Sequence, residues 1–135
     1  MKPYTLLLSA LLAALLATSL DAAAQAPDGK TLFAKNCAAC HQASGKGIPG
    51  AFPALAANSF VLGAPADVAT VLLKGRGGMP DFSGSLDDAD IAQVLSYVRT
   101  SWGNGATPLS EAEVAAQRSA LGVAPASRSR FGNKH

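Results

Sequence analysis

Residues 37–41 read Cys37-Ala38-Ala39-Cys40-His41, and this stretch decides the fold because it dictates what the chain folds around. Two thiols three residues apart at a helix end can reach the two vinyl groups on one edge of a porphyrin. The residue that follows then projects its imidazole over the ring toward the iron. The pattern C-x-x-C-H therefore predicts one covalently attached c-type haem, bound through Cys37 and Cys40, with His41 as an axial iron ligand.

The same two cysteines allow a second interpretation, a thioredoxin-like dithiol pair or a single disulfide. A thioredoxin motif should follow a strand in a βαβ unit and open a helix. Here the pair follows a predicted helix, no strand is predicted, and a histidine comes directly after the second cysteine. Two cysteines are also too few for a multi-disulfide scaffold. The context favours haem attachment.

The start of the sequence has the layout of an export signal. Lys2 supplies a positive charge, residues 6–17 form an apolar run of 12 residues, and residues 22–24 are a small-residue cluster of the A-x-A type. This layout predicts a signal peptide over residues 1–24, cleaved after Ala24, and hence a periplasmic protein. The alternative is an uncleaved membrane anchor, but 12 residues are fewer than the ~20 that span a bilayer. We expect no membrane span after processing.

The remaining 111 residues contain few large apolar side chains. They hold 49 apolar residues, of which 21 are Ala, so 28 larger side chains are left to build a core. This number is small for a domain that should bury about two-thirds of the surface that its unfolded chain exposes. It indicates that something other than side chains completes the core. The net charge of +2, with bases and acids interleaved and only 6% aromatic residues, argues against nucleic-acid binding.

Apolar spacing and capping residues predict an all-α domain of about four helices, with long ordered loops around the haem. Period-2 alternation, the pattern of strands, is absent from the sequence. Asp28 and a capping box at Ser110 mark helix starts, and Gly75 marks a helix end. The long helix begins at either Asp87 or Ser85. The predicted helices are 28–36, 67–74, 87–102 and 110–121; the predicted loops are 42–62, with a short helix near its end, and 75–84.

The chain of 135 residues is long enough for one domain. We assign that domain to residues 25–121, including the last helix as a C-terminal extension. Residues 122–135 contain three basic residues, two Ser, one Pro and no acids, and we expect this tail to be disordered.

Met79 is the predicted second axial ligand of the iron. It lies in the stretch G-G-M-P at residues 77–80, where the glycines allow close approach to the ring and the proline restricts the chain. It is the only methionine after the predicted signal peptide, and His135 is the only histidine besides His41. Ligation by His and Met recurs in haem proteins. The alternatives are a methionine that fills a core gap, ligation by His135, and a five-coordinate iron.

These motifs resemble those of class I monohaem cytochromes c over residues 28–102. C-x-x-C-H followed by G-x-G-G-M-P at residues 75–80 is a specific pair of motifs. Gly29-x-x-x-Phe33 resembles the family's first helix, whose glycine packs against the last core helix. Tyr97 stands at the position of that last helix which the glycine would contact. The resemblance implies the cytochrome c fold and a single haem c.

The resemblance also implies which residues line the haem. P-A-L at residues 53–55 is similar to the family's P-x-L loop. By that resemblance the Pro53 carbonyl would accept a hydrogen bond from the His41 ring, and Leu55 would line the haem. Pro49 is a second candidate for the role of the proline, and the sequence leaves the choice open. Three further apolar residues have either haem contact or ordinary core packing as their role: Phe52, Phe82 and Leu86.

Residues 45–53 and 98–104 resemble small cytochrome c subunits or partners of periplasmic dehydrogenases, and the extension 107–121 fits this group. The resemblance implies a one-electron carrier, not an enzyme. It would accept electrons from a dehydrogenase catalytic subunit and pass them to another cytochrome or a terminal oxidase of the respiratory chain. The alternative is a haem protein with an open iron site, ligand-binding or peroxidase-like. Ala54, where this group often has a second proline, departs from the pattern.

Three basic residues, Lys46, Lys74 and Arg76, lie in segments expected to flank the exposed haem edge near the cysteines. Such residues can steer an anionic partner toward the edge. They can equally form ordinary solvated surface, and the sequence leaves both roles open.

Overall fold

Between residues 28 and 127, the part of the chain that this computed structural model describes, the fold consists of five helices. The predicted signal peptide lies outside the described residues. Within them the chain has no strand, only two isolated bridges, so the all-α prediction is confirmed. None of these helices has the length and apolar character needed to cross a bilayer. The helices are α1 (Gly29–Asn36), α2 (Ala38–His41), α3 (Pro65–Lys74), α4 (Asp88–Thr100) and α5 (Glu111–Ala120).

Aspartate side chains start α1 and α4. The Asp28 carboxylate accepts a hydrogen bond of 2.8 Å from the Thr31 amide. Asp87, and not Ser85, caps α4, because its carboxylate accepts from the Asp90 amide at 2.9 Å. Each cap satisfies a backbone amide that has no partner within the helix.

Two helix boundaries differ from the sequence prediction. α3 begins at Pro65 instead of residue 67, because proline in the first turn has no amide to satisfy and its φ already suits a helix. α4 ends at Thr100 and not at about Trp102, because Ser101 adopts an extended conformation.

The loop over residues 42–62 contains turns, and the short helix predicted near its end is not formed. Asn58 Oδ1 accepts hydrogen bonds from the amides of Phe60, at 2.9 Å, and Val61, at 3.2 Å. The Leu62 amide also donates to the Asn58 carbonyl at 3.0 Å, so a single turn begins here. It does not continue as a helix because Ala64, which precedes Pro65, is extended, and the prediction of a helix here was wrong for that reason.

α1 and α4 pack closely and form the centre of the core. A Cβ on Gly29 would lie 2.8 Å from Tyr97 Cβ, so glycine is required for this approach. It is the contact that the family resemblance implied. The buried apolar side chains come from α1, α3, α4, α5 and the segments between them: Leu32, Phe33, Val61, Val68, Ala69, Leu72, Leu73, Leu86, Ile91, Ala92, Val94, Leu95, Val98, Leu109 and Val114.

α5 packs against both α3 and α4. The predicted capping box is present at its start, where Ser110 and Glu113 bond reciprocally. After the helix, the Val123 amide donates to the Arg118 carbonyl at 3.1 Å. This bond ties the first residues of the tail that we expected to be disordered to α5; residues 128–135 of that tail lie outside the described residues.

Candidate haem site

The cysteines and the histidine of the C-x-x-C-H motif lie at the junction of α1 and α2. Cys37 ends α1, where its amide donates to the Phe33 carbonyl at 2.9 Å, and it directly precedes α2. Its side chain is half-buried against the hydrophobic core, whereas Cys40 is exposed. His41 is the last residue of α2 and is 7% exposed. One helical turn thus carries two thiols and a buried imidazole.

A backbone carbonyl orients the imidazole of His41. Nδ1 lies 2.9 Å from the Pro53 oxygen, and because a carbonyl can only accept, Nδ1 carries the proton. The lone pair is then on Nε2, the nitrogen available to a metal. Of the two prolines that the sequence left open, Pro53 and not Pro49 makes this contact.

A buried asparagine fixes the loop that carries Pro53. Asn104 Nδ2 donates to the Leu55 carbonyl at 3.0 Å and to the Val98 carbonyl at 2.8 Å. Its Oδ1 accepts from the Ala57 amide at 2.8 Å. Two of these bonds join Asn104 to the loop, and the third joins Asn104 to α4. Asn104 therefore holds the segment whose carbonyl orients His41.

Trp102 covers the beginning of the same loop. Its Nε1 donates to the Ala43 carbonyl at 3.1 Å, and its ring centroid lies 5.1 Å from that of Phe33. Gly45 lies against the face of this ring with φ of +68°, and a Cβ there would come within 2.6 Å of Trp102 Cδ2. Both the backbone conformation and the available space therefore require glycine.

The protonation state of Cys37 argues against the dithiol interpretation. Burial raises the pKa of the Cys37 thiol to about 11, and the neighbouring Cys40 adds to the rise. A dithiol oxidoreductase needs the opposite, a thiol whose pKa is lowered so that it is a thiolate at neutral pH. Within residues 28–127, moreover, the motif follows a helix and not a strand. A neutral, half-buried thiol suits attachment to an apolar group.

Met79 ends a tight turn between α3 and α4. The backbones of Arg76 and Met79 pair in both directions, with N–O distances of 3.1 and 3.0 Å. The Met79 side chain is half-buried and packs against the hydrophobic core. Beyond the turn, the Phe82 amide donates to the Leu72 carbonyl at 2.7 Å, which ties the loop back to α3.

The other predicted haem-lining residues fall into two groups. Leu55 and Phe82 are half-buried and pack against the same core as Cys37, and Leu86 is fully part of that core. Phe52, in contrast, is 40% exposed. With Phe52, the following residues line a shallow cavity of about 330 Å³: Lys46, Pro49, Gly50, Ala51, Pro53 and Ala54.

The three basic residues that we expected near the haem edge, Lys46, Lys74 and Arg76, are all exposed. Lys46 borders the cavity that contains Phe52. The Arg76 guanidinium lies 4.6 Å from the centroid of the Phe60 ring, a cation–π arrangement. Steering of a partner by these charges stays a prediction.

Sequence reasoning missed a buried arginine, Arg99, which anchors the end of the loop that carries Pro53. Arg99, 2% exposed, donates through Nη1 to the carbonyls of Val61, at 2.6 Å, and Gly63, at 3.0 Å. Its Nε donates to the Thr107 carbonyl at 2.7 Å. Arg99 thus joins the end of the loop to the segment that leads into α5.

Two of the residues that were missed had a signal in the sequence. Arg99 stands four residues after Leu95, on the apolar stripe of α4, and Arg118 stands four residues after Val114 on α5. A charged residue in the register of an apolar stripe indicates a buried, hydrogen-bonded cation. Asn104 lies in a non-helical segment, and no periodicity marks it.

The side chains present fit a covalently attached haem. The motif offers two thiols for thioether bonds and a neutral imidazole with its Nε2 available. Met79 adds a soft sulfur ligand of the kind that haem iron accepts. Among residues 28–127, no group of three or more His, Cys, Asp or Glu could hold a metal ion by itself. A donor set of this kind suits an iron already held by a porphyrin.

The sequence matches the family described as cytochrome C oxidase, cbb3-type, subunit III over residues 24–98, more than half of the chain. The chain belongs to the cytochrome c family. Cytochromes c carry covalently bound haem c, and that is the cofactor of this chain.

Individual cytochromes c are similar over more than half of the chain. Cytochrome c-552 of Thermus thermophilus is 37% identical over 92 residues, which cover 57% of this chain and 70% of the relative. The cytochrome c subunit of alcohol dehydrogenase (quinone) of Gluconacetobacter polyoxogenes is 36% identical over 90 residues, 58% of this chain but 19% of the relative. The cbb3-type cytochrome c oxidase subunit CcoP of Azospirillum brasilense is 40% identical over 87 residues, 59% of this chain and 29% of the relative. The chain thus spans about a fifth of the dehydrogenase subunit's length.

Proposed function

We propose that the chain is a periplasmic one-electron carrier whose haem c is attached to Cys37 and Cys40 and ligated by His41 and Met79. The observation that carries the proposal is the hydrogen bond between His41 Nδ1 and the Pro53 carbonyl, because it leaves Nε2 available to iron. When bound, the haem supplies reversible one-electron chemistry at its iron.

The chain's own residues bind, orient and shield the cofactor. Met79 contributes a soft thioether, which favours the reduced metal over the oxidised one. The half-buried side chains of Leu55 and Phe82 supply an apolar lining, which disfavours the extra positive charge of the oxidised state. Backbone hydrogen bonds hold both ligand segments, so little rearrangement should accompany a change of one electron.

We further propose a dehydrogenase catalytic subunit as the electron donor and another cytochrome or a terminal oxidase as the acceptor. The names of similar proteins support this choice of electron donor and acceptor. They include the cytochrome c subunits of alcohol dehydrogenase (quinone) and of the gluconate 2-dehydrogenase of Pantoea cypripedii, the latter 30% identical over 91 residues. They also include an oxidase subunit.

The ligand assignment is tested with Met79→Ala. Wild-type ferric protein should show the far-red absorption band of an iron–sulfur(Met) bond and bind cyanide poorly, and the ferrous protein should bind CO poorly. The variant should lose the band and bind these ligands readily, because the sixth position is then open. His135→Ala is the control, and it should leave both properties unchanged. A wild-type protein without the band that binds CO readily would instead support the open-site alternative.

Export and domain limits are tested on the mature protein. We propose that residues 1–24 are removed and that residues 25–121 form the haem domain. Amino-terminal sequencing of the protein from the periplasm should therefore start at Gln25. A chain that retains residue 1 would contradict cleavage.

The donor is tested by copurification from the native source, with mass spectrometry of what travels with the cytochrome. We expect a dehydrogenase catalytic subunit, and addition of that enzyme's substrate to the copurified sample should reduce the haem. A haem that stays oxidised after the substrate is added would contradict this donor.

A further inference from the structure

Helix α5 contacts the elements on both sides of the Met79 loop, by which we mean residues 75–86. On the entry side, Gln117 Nε2 donates to Thr70 Oγ1 of α3 at 2.8 Å. On the exit side, Arg118 binds the segment that leads into α4. The C-terminal helix therefore spans the two ends of this loop.

Arg118 uses all three of its guanidinium nitrogens. Nη1 donates to the Ser83 carbonyl at 3.0 Å, and Nη2 donates to the Leu86 carbonyl at 3.2 Å. Nε forms an ion pair of 2.6 Å with the carboxylate of Asp88, the first residue of α4. Nη1 also reaches the Ala124 carbonyl at 2.9 Å. One side chain thus fixes the exit of the Met79 loop to α5.

Burial makes these hydrogen bonds strong. Arg118 is 4% exposed, so water has little access to replace the partners of its guanidinium. Hydrogen bonds from a charged donor are roughly twice as strong as neutral ones, and a buried carbonyl left without a partner is destabilising. Backbone bonds of the Met79 loop join Arg76 to Met79, Phe82 to Leu72, and Ser85 and Leu86 to Phe82, and none of these bonds reaches α5. Arg118 therefore supplies hydrogen bonds that anchor the loop's exit to α5.

We propose that Arg118 is a positioning residue for Met79, and that it keeps the thioether on the iron by fixing the exit of the Met79 loop to α5. The proposal rests on the proposed function, because it requires Met79 to be an iron ligand. Loss of Arg118 shifts the folded protein toward a state in which the loop has moved and the iron's sixth position is open. The C-terminal extension thereby acts on the haem without belonging to its pocket.

The experiment compares full-length holoproteins: wild type, Arg118→Ala, Arg118→Lys and Ser96→Ala. Lysine keeps a positive charge near Asp88 but lacks the planar fork that reaches two carbonyls at once. Ser96→Ala is the matched control. It removes the two bonds to Leu109, of 3.1 and 3.0 Å, that fix the start of the extension, and it leaves the Met79 loop untouched. The far-red band, CO binding to the ferrous protein and the unfolding midpoint are measured on the same samples.

Arg118→Ala should raise the fraction of folded protein without the far-red band about tenfold or more, because loss of one buried, charge-assisted bond shifts an equilibrium by roughly that factor. CO binding should rise with it. Arg118→Lys should lie between Arg118→Ala and wild type. Ser96→Ala should lower the midpoint and leave the band intact.

A full band and wild-type CO binding in Arg118→Ala would overturn the proposal and leave Arg118 with a purely structural role. Equal loss of the band in Ser96→Ala would also overturn it, because general destabilisation would then explain the effect. If Arg118→Ala yields no folded holoprotein, Arg118→Lys decides by the same criteria. A wild-type protein without the band would refute Met79 ligation itself, which is a different result.

Discussion

The loop that supports His41, residues 42–63, and the Met79 loop are both long and irregular, but they are anchored differently. The His41 side is held along its whole length, by Trp102 at its beginning, Asn104 in its middle and Arg99 at its end. The Met79 loop is held where it leaves α3 and where it enters α4, and its turn at Gly77 and Gly78 is exposed. One of the two proposed ligands is thus supported by bonds along its whole loop, and the other by bonds at the two ends of its loop.

The difference indicates which ligand is more easily displaced. Segments with few buried contacts open at lower free energy than the fold as a whole. The Met79 loop should therefore open before the His41 side does. In an electron carrier this order matters, because a cytochrome that loses its sixth ligand changes its redox properties and becomes open to small molecules.

Removal of haem attachment should have the largest effect on stability, because the haem is the group that both loops are expected to contact. The variant with Cys37→Ser and Cys40→Ser should lack a cooperative thermal transition by circular dichroism. The physical reason is the small core, with 28 large apolar side chains in 111 residues, which a cofactor must complete. A sharp, cooperative transition in this haem-free variant would contradict the account of the core.

A matched pair of glycine substitutions compares the two loops directly. Gly45→Ala should lower the free energy of unfolding by about 4 kcal/mol, because the new Cβ meets the Trp102 ring and φ is +68°. Gly84→Ala, in the Met79 loop but outside the stretch G-G-M-P, should change it by less than about 1 kcal/mol, because nothing lies within 4 Å of its Cβ position. Denaturant unfolding of both holoproteins measures the difference. Equal decreases in the free energy of unfolding would mean that the two loops are packed equally closely.

Asn104→Ala should lower the free energy of unfolding by about 3 kcal/mol, roughly 1 kcal/mol for each of three lost hydrogen bonds. Below the unfolding transition, the far-red band should persist, because the Met79 loop is untouched. Asn58→Ala is the control within the same loop, and its more exposed bonds should contribute less. Loss of the band in Asn104→Ala would show that the two sides are coupled.

The smallest expected effect concerns the capping box at the start of α5, the helix that anchors the exit of the Met79 loop. The hydrogen bonds from the backbone amide and the side chain of Ser110 lower the pKa of Glu113. Because the folded-state pKa is lower than the unfolded one, the stabilisation is present at neutral pH. It is lost as the pH falls from the usual value of 4.5 through the folded-state pKa.

Glu113→Gln should therefore flatten the acid limb of the stability curve. Glu111→Gln, in the same turn but outside the capping box, is the control. Identical acid limbs in wild type and Glu113→Gln would mean that the capping box does not stabilise α5.

Local features of the sequence predicted much of the fold. Side chains bond to amides three residues away at Asp28, Asp87 and Ser110, so the sequence alone marks these helix starts. The C-x-x-C-H motif is equally local. The misplaced start of α3 and the absent helix near Asn58 both arose next to Pro65, which suits the first turn of a helix and keeps the preceding Ala64 extended.

Contacts between distant residues could not be read in this way. Asn104 and Leu55 are 49 residues apart, and Arg118 and Ser83 are 35 apart. Such pairs depend on how the helices pack, and a single sequence carries no record of which buried donor meets which carbonyl. The family resemblance, and not periodicity, indicated the Pro53 carbonyl.

Asn104, Arg99 and Arg118 bind the loops chiefly through main-chain atoms. Every residue type offers a carbonyl oxygen, so these anchors do not depend on which side chains the loop displays. The exposed positions around Phe52 can therefore be randomised in a combinatorial library while the scaffold stays intact, provided that Gly45, Gly47, Gly50 and the three anchoring side chains are retained. A cytochrome built in this way separates the surface that a partner protein meets from the framework that holds the iron, and its partner preference can be altered without rebuilding the domain.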